Sequence, residues 1–156
     1  MKALVCLTLA GVVALGGLSQ VQSATKKATD REKFVGAWHL VSLGEQGADG
    51  RVVDSAGGMK GMLVYTGDGH MSVQIMQPEA GAAISNDYFL NGYEASFGSY
   101  DVDEARHTIT HHVQGSITHG LVGKDLPRVY QFSDDGHLII KSTRPEEHWM
   151  VTWEHY

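Results

Sequence analysis

Cysteine is almost missing from this chain. The single residue, Cys6, lies in an apolar stretch at the N-terminus. Removal of that stretch leaves no thiol, which excludes disulfides and thiolate catalysis. Runs of Lys and Arg are also missing, and the formal net charge is −6. That balance argues against a nucleic-acid or anionic-membrane partner. No Walker loop, no dinucleotide glycine motif after a strand and no Gly-x-Ser-x-Gly element occurs. The apolar stretch itself, Ala3 to Leu18 behind Lys2 and broken only by Thr8, is about sixteen residues. It is short for a membrane span and right for a secretory leader.

A leader over 1–23, cleaved after Ser23, is the expected boundary, with Ser19 and Ala24 as alternative sites. Cys6 lacks the small-residue context of a lipoprotein site. Residues 24–33 are polar and charged, and read as a flexible lead or one helical turn. Residues 34–156 then form one domain, long enough for a core that needs no disulfide. The expected location is periplasmic or secreted, with no membrane span in the mature chain.

What the chain does have is a hairpin rhythm. Gly61 to Met76 holds two runs with strand chemistry around Gly67-Asp68-Gly69. Glycine permits the positive φ of a tight turn, and β-branched and aromatic residues suit the pleat beside it. Asp134-Asp135-Gly136 separates Val129–Phe132 from His137–Ile140, and Asp49-Gly50 follows Trp38–Leu43. The pattern predicts strands at 36–43, 51–54, 61–66, 70–76, 96–102, 107–116, 126–132, 137–142 and 148–155. Consecutive hairpins make an up-and-down antiparallel sheet, and closure into a barrel of eight or nine strands removes its edges. The long exception is 77–95. There Ser85-Asn86-Asp87 predicts the cap of a short helix carrying Tyr88, Phe89, Leu90 and Tyr93. That segment reads either as a lid over the barrel mouth or as an aromatic plug of one end of the core.

Several segments together resemble the lipocalin-like domain family of calycin type. They are Val35-Gly-Ala-Trp38-His-Leu-Val-Ser42, Gly61 to Met76, Phe97-Gly98-Ser-Tyr100, His111-His112-Val113-Gln114-Gly-Ser116, Gly123 with Arg128, and Val151-Thr-Trp153-Glu154. Gly36-Ala37-Trp38 is similar to the Gly-x-Trp element of lipocalins. The chain departs from the family where His119-Gly120-Leu121 replaces a Pro-x-Trp pair and Gly67 replaces a turn proline. The resemblance implies an all-β lipocalin-like barrel with an internal cavity, and Trp38 as a structural residue at its closed end. It does not imply one function. It also implies that a late-strand arginine, Arg128 or Arg144, packs on Trp38 as a cation–π floor plug.

Strand parity assigns faces. Ile109, His111 and Val113 share the apolar face of 107–116, which carries His111 inward and His112 outward. Leu126, Arg128, Tyr130 and Phe132 share a face, which carries Arg128 inward. Gly98, Tyr100 and Val102 share another, and Tyr65 goes with Leu63. Met71, Val73 and Ile75 point inward by hydrophobicity, with Ser72 and Gln74 outside. The candidate ligand-binding set is therefore Tyr65, Tyr100, His111, Arg128 and Tyr130. His111 reads as a satisfied core histidine, a ligand-bonding group or a catalytic acid/base. The nine histidines do not make a metal site by spacing: His111 and His112 face opposite ways, and His107 lies about 13 Å from His111 at roughly 3.3 Å per residue. No metal and no cofactor is expected.

Mouths of β-barrels are preferred ligand sites. The expected function is binding of a small, largely apolar molecule, with Arg128 suggesting a carboxylate or enolate on it. The alternative is an isomerase, cyclase or lyase using the same cavity, with His111 moving a proton and Arg128 or a tyrosine holding the oxyanion. A filled, purely structural barrel is the third reading.

Overall fold

A computed structural model describes residues 27–47, 52–54, 58–77 and 85–156. The expected leader, the Asp49-Gly50 turn and the stretch after Pro78 lie outside the described residues. A short helix, α1 (Asp30–Phe34), precedes the strands. These are β1 (Gly36–Gln46), β2 (Val52–Asp54), β3 (Lys60–Tyr65), β4 (His70–Met76), β5 (Tyr93–Asp103), β6 (Thr108–Ser116), β7 (Asp125–Phe132), β8 (Leu138–Ser142) and β9 (Trp149–His155), with a 3-10 turn at His119–Leu121 between β6 and β7. Each strand from β3 to β9 pairs antiparallel with the next, and β1 pairs with both β3 and β9. Eight strands thus close a ring, and β2 lies along the 44–46 end of β1. Among the described residues no helix is long and apolar enough to cross a membrane.

Two of the hairpins use one turn device twice. In Thr66–His70 the threonine hydroxyl bonds the Asp68 carboxylate and the His70 carbonyl, and Gly69 takes φ +93°. In Ser133–His137 the serine hydroxyl bonds Asp135 and the His137 carbonyl, and Gly136 takes φ +89°. Side-chain oxygens at the first and third positions fix the loop, and only glycine enters the left-handed region without strain.

The predicted faces are those seen on β4. Met71, Val73 and Ile75 are buried, while His70, Gln74 and Met76 are exposed. On β5 the inward row includes Gly98, where the register against β6 shifts and a Cβ would come within 2.0 Å of the His112 carbonyl oxygen. No other residue fits a strand–strand approach that close.

One end of the barrel is closed by α1, held by a capping box between Thr29 and Glu32. Of the two readings for the polar lead, one helical turn is what forms from Asp30 onward. It drives Phe34 into the barrel, where its ring meets Tyr65, Tyr130 and Phe132 edge-on at 5.1, 4.9 and 5.1 Å. Trp38 is fully buried beside it, its indole N–H donating to the Phe34 carbonyl at 2.9 Å and its ring against His155. The floor cations are not the expected ones. Lys33 lies over Phe132 and Arg31 over Tyr100, whereas Arg128 and Arg144 stand toward the other end. An N-terminal helix brings its own basic residues to the floor, so no late-strand arginine is needed there.

The expected lid helix at 85–93 does not form. The Asn86 side-chain oxygen accepts from the Tyr88 and Phe89 N–H groups, Asn91 and Gly92 take positive φ, and Leu90 bridges Tyr93. An Asx turn satisfies locally the donors that a helix would satisfy through its own carbonyls. Phe89 is buried in the core and Tyr88 stands at the mouth, while Leu90 and Tyr93 are exposed. The segment both covers and plugs.

Candidate ligand cavity

Above the aromatic floor the barrel opens into a cavity of about 320 Å³. This is at the small end of the roughly 300–1,000 Å³ usual for ligand pockets. Its wall is mostly apolar: Leu43, Leu63, Val73, Ile75, Ile140, Val151 and Trp153. Three polar side chains face it from adjacent strands, Glu94 on β5, His111 on β6 and Arg128 on β7. Glu45, Asn86, Tyr88 and Trp149 border it as well.

Strand parity and register bring His111 and Arg128 together. His111 pairs with Leu126, and Arg128 follows two residues on along the same face of β7. Arg128 is only 8 % exposed. Its guanidinium lies over the rings of Trp149 at 5.3 Å and Tyr88 at 5.7 Å. Among the described residues no carboxylate forms an ion pair with it. Two cation–π contacts contribute about 0.5–2 kcal/mol each, while burial of an unpaired charge costs several kcal/mol. No fully enclosed side-chain polar atom among the described residues lacks a partner, so the guanidinium donors of Arg128 are open to the cavity it lines.

His111 is buried, and its Nε2 lies 2.7 Å from the Tyr65 hydroxyl. Tyr65 is fully buried and its hydroxyl has no other acceptor among the described residues, so its proton is donated to Nε2. That fixes the His111 tautomer with the proton on Nδ1. Every fully enclosed side-chain polar atom among the described residues has a partner. Nδ1–H has none among them, so it is open to the cavity that His111 lines. Burial, then the nearby Arg128 charge, holds the imidazole well below its ordinary pKa, and burial pushes the Tyr65 phenol up. The imidazole is a neutral donor.

The five residues proposed from sequence divide between two places. His111 and Arg128 line the cavity, and Tyr65 stands behind His111 as its positioning partner. Tyr100 and Tyr130 stand elsewhere on the same inward face. Their hydroxyls donate to the Thr66 carbonyl at 3.0 Å and to the Asp30 carboxylate at 2.9 Å, at the floor. Parity gave their face correctly, but a barrel has depth as well as sides, and both side chains lie below the cavity.

Glu94 was missed by sequence reasoning. The predicted strand began at residue 96, and two further steps of the Gly98–Tyr100 parity reach Ser96 and Glu94. Burial raises the Glu94 carboxyl to about 6 against the opposing pull of Arg128. Tyr88 and Trp149 were missed as Arg128 partners. Both are tied to Glu147, which accepts from the Tyr88 hydroxyl at 3.1 Å and the Trp149 indole N–H at 2.9 Å. Arg144 also bonds Glu147, at 2.6 Å.

Neighbouring histidines carry opposite pH signatures. Outside the barrel, His112 bonds Asp125 at 2.6 Å and Asp101 at 3.0 Å, and these carboxylates raise its pKa. Its contribution to stability is present below the unfolded value of about 6.5 and is lost as pH rises through the folded value. His111 has a lowered pKa, so its contribution is present above about 6.5 and is lost as pH falls below it. Urea unfolding should show His112→Asn less stable than wild type by under about 1 kcal/mol at pH 5, as suits a partly exposed pair, with the difference vanishing in alkali. A constant difference from pH 5 to pH 9 would mean the two ion pairs do not form.

Residues 35–155 match the family model described as the lipocalin-like domain, and the chain belongs to that family. Among solved structures it is similar to a DUF4847 family protein from Bacteroides vulgatus ATCC 8482, at 12 % identity and TM-score 0.46 over 79 % of this chain and 94 % of that one. It is also similar to a point mutant of the fluorescent protein UnaG, at 14 % identity and TM-score 0.43 over 80 % of this chain and 97 % of that one. No curated protein matches.

Proposed function

We propose that this lipocalin-like barrel binds a small, largely apolar molecule carrying one anionic group, a carboxylate or enolate, and does so after export from the cytoplasm. The observation that carries the ligand class is Arg128: a buried guanidinium with two aromatic faces beside it, no ion-pair partner among the described residues, and an apolar cavity in front of it. The His111 Nδ1–H supports the same reading as a second donor to an acceptor oxygen. The cavity volume favours a compact ligand over a long acyl chain. The neutral imidazole supports binding over proton transfer by His111, because a base held well below its ordinary pKa takes up a proton poorly near neutrality.

Tryptophan fluorescence reports on the cavity directly, since Trp149 and Trp153 line it. Octanoate is expected to bind at least about tenfold tighter than octan-1-ol, the worth of a charge-assisted hydrogen bond. Equal affinity for the two, or binding of neither, would remove the anion-binding reading. Export rests on the Lys2-led apolar stretch. N-terminal sequencing of the protein from its own host should find a start near Ala24, and an intact Met1 would reject it.

A further inference from the structure

Glu94 shares an apolar cavity with Arg128, yet the two form no ion pair. The carboxyl has no hydrogen-bond partner among the described residues. An anion drawn to Arg128 therefore arrives beside a second negative group that none of those residues neutralises by contact. Two like charges in one low-dielectric site do not both stay ionised, and one of them takes a proton.

We propose that Glu94 is a ligand-contacting residue: it takes a proton from solvent as an anion binds to Arg128, and its neutral carboxyl then donates a hydrogen bond to that anion. The site thus takes a monoanion together with one proton. The inference rests on the anion-binding reading above and adds to it the residue and the proton. Charge balance supports it. Arg128 and an ionised Glu94 sum to zero, so an added monoanion leaves the cavity with a net charge of −1, whereas protonated Glu94 leaves it neutral. Even without ligand, burial already lifts Glu94 to about 6, so the proton is taken up at small cost near neutrality.

The other groups around the site do not imitate this behaviour. His111 on β6 stays neutral, because burial lowers its pKa. The phenols of Tyr65 on β3 and Tyr88 on the β4–β5 connection are pushed upward by burial. Ile75, opposite Glu94 on β4, is apolar. Glu45 on β1 is exposed at the cavity edge and is controlled by Glu45→Gln.

Octane-1-sulfonate is the test probe, because its charge is fixed across the pH range and any pH dependence belongs to the protein. Wild-type affinity should be level below about pH 6 and fall roughly fivefold to tenfold per pH unit from 7 to 8. Calorimetry at pH 7.5 in phosphate and in Tris, buffers with different ionisation heats, should show uptake of close to one proton per ligand bound. Glu94→Gln, which keeps the shape and a donor, should bind as tightly at pH 8 as at pH 6 and take up no proton, while Glu45→Gln should behave as wild type. Melting curves establish that both variants are folded, and the proton count needs no variant. Wild-type binding that is independent of pH with no proton uptake overturns the role of Glu94 alone, as does an unaltered pH profile in Glu94→Gln. Absence of binding at every pH, for octanoate as well as for the sulfonate, overturns the anion-binding reading and this inference with it.

Discussion

Replacement of Arg128 by Met is expected to weaken octanoate binding by about ten- to a hundred-fold, the 1.5–3 kcal/mol of a hydrogen bond to a charged group, while octan-1-ol affinity stays within about twofold. The same variant is expected to stay within about 1 kcal/mol of wild type on urea unfolding. Arg128 is buried, and its guanidinium lies against the faces of Trp149 and Tyr88 with no ion pair among the described residues. A methionine keeps an apolar stem against those rings and removes the desolvated charge. Glu94, which shares the cavity, loses the nearby positive charge and takes a proton at small cost, so no buried carboxylate is left without a countercharge. The pairing of lost binding with kept stability separates the two roles a buried arginine can have. A structural arginine gives the reverse pattern, with a loss of more than about 2 kcal/mol on urea unfolding and little change in the octanoate preference of what remains folded. His112→Asn is the binding control, since that side chain lies outside the barrel between Asp101 and Asp125, and it should leave octanoate affinity unchanged.

Trp38→Ala is expected to destabilise the barrel by about 3–5 kcal/mol, the usual cost of truncating a fully buried large aromatic. Trp38 is 1 % exposed, and its loss has three consequences. It empties a volume between Phe132 and His155, against which the indole packs. It leaves the Phe34 carbonyl without the indole donor at 2.9 Å. It also loosens α1, whose Phe34 organises the aromatic floor through contacts to Tyr65, Tyr130 and Phe132. Because Tyr65 in turn fixes the His111 tautomer, the folded fraction of Trp38→Ala should also bind octanoate more weakly. Trp38→Phe restores most of the volume without the indole donor and should recover more than half of the lost stability. A shift under about 1 kcal/mol for Trp38→Ala would mean that the floor is held without the tryptophan.

The fold was legible in the sequence because strand information is local. A Gly-Asp-Gly turn between two β-branched runs states a hairpin within sixteen residues, Gly61 to Met76, and period-two parity states which side chains point in. Met71, Val73, Ile75, His111 and Arg128 could all be turned the right way from the chain alone. Trp38 could be placed at the closed end from its motif. The segment at 85–93 misled because a Ser-Asn-Asp cluster serves a helix cap and an Asx turn equally well. The winner was decided by the pairing of Leu90 with Tyr93 and by Phe89 entering the core.

The sequence by itself determined the hairpins, the strand order and most of the inward faces, since each follows from residues a few positions apart, but not the start of β5 at Tyr93. Only the tertiary structure decided depth along the barrel axis. Parity cannot tell Tyr100 and Tyr130, whose hydroxyls end at the floor, from His111 and Arg128, whose polar atoms reach the cavity, because all four share the inward face. It also decided company. Arg128 meets Tyr88 and Trp149, which lie far from it in the sequence on either side, and shares its cavity with Glu94 without an ion pair. Such meetings depend on strand stagger and on where the connections cross the mouth, and these are set by closure of the whole ring rather than by any one segment of chain.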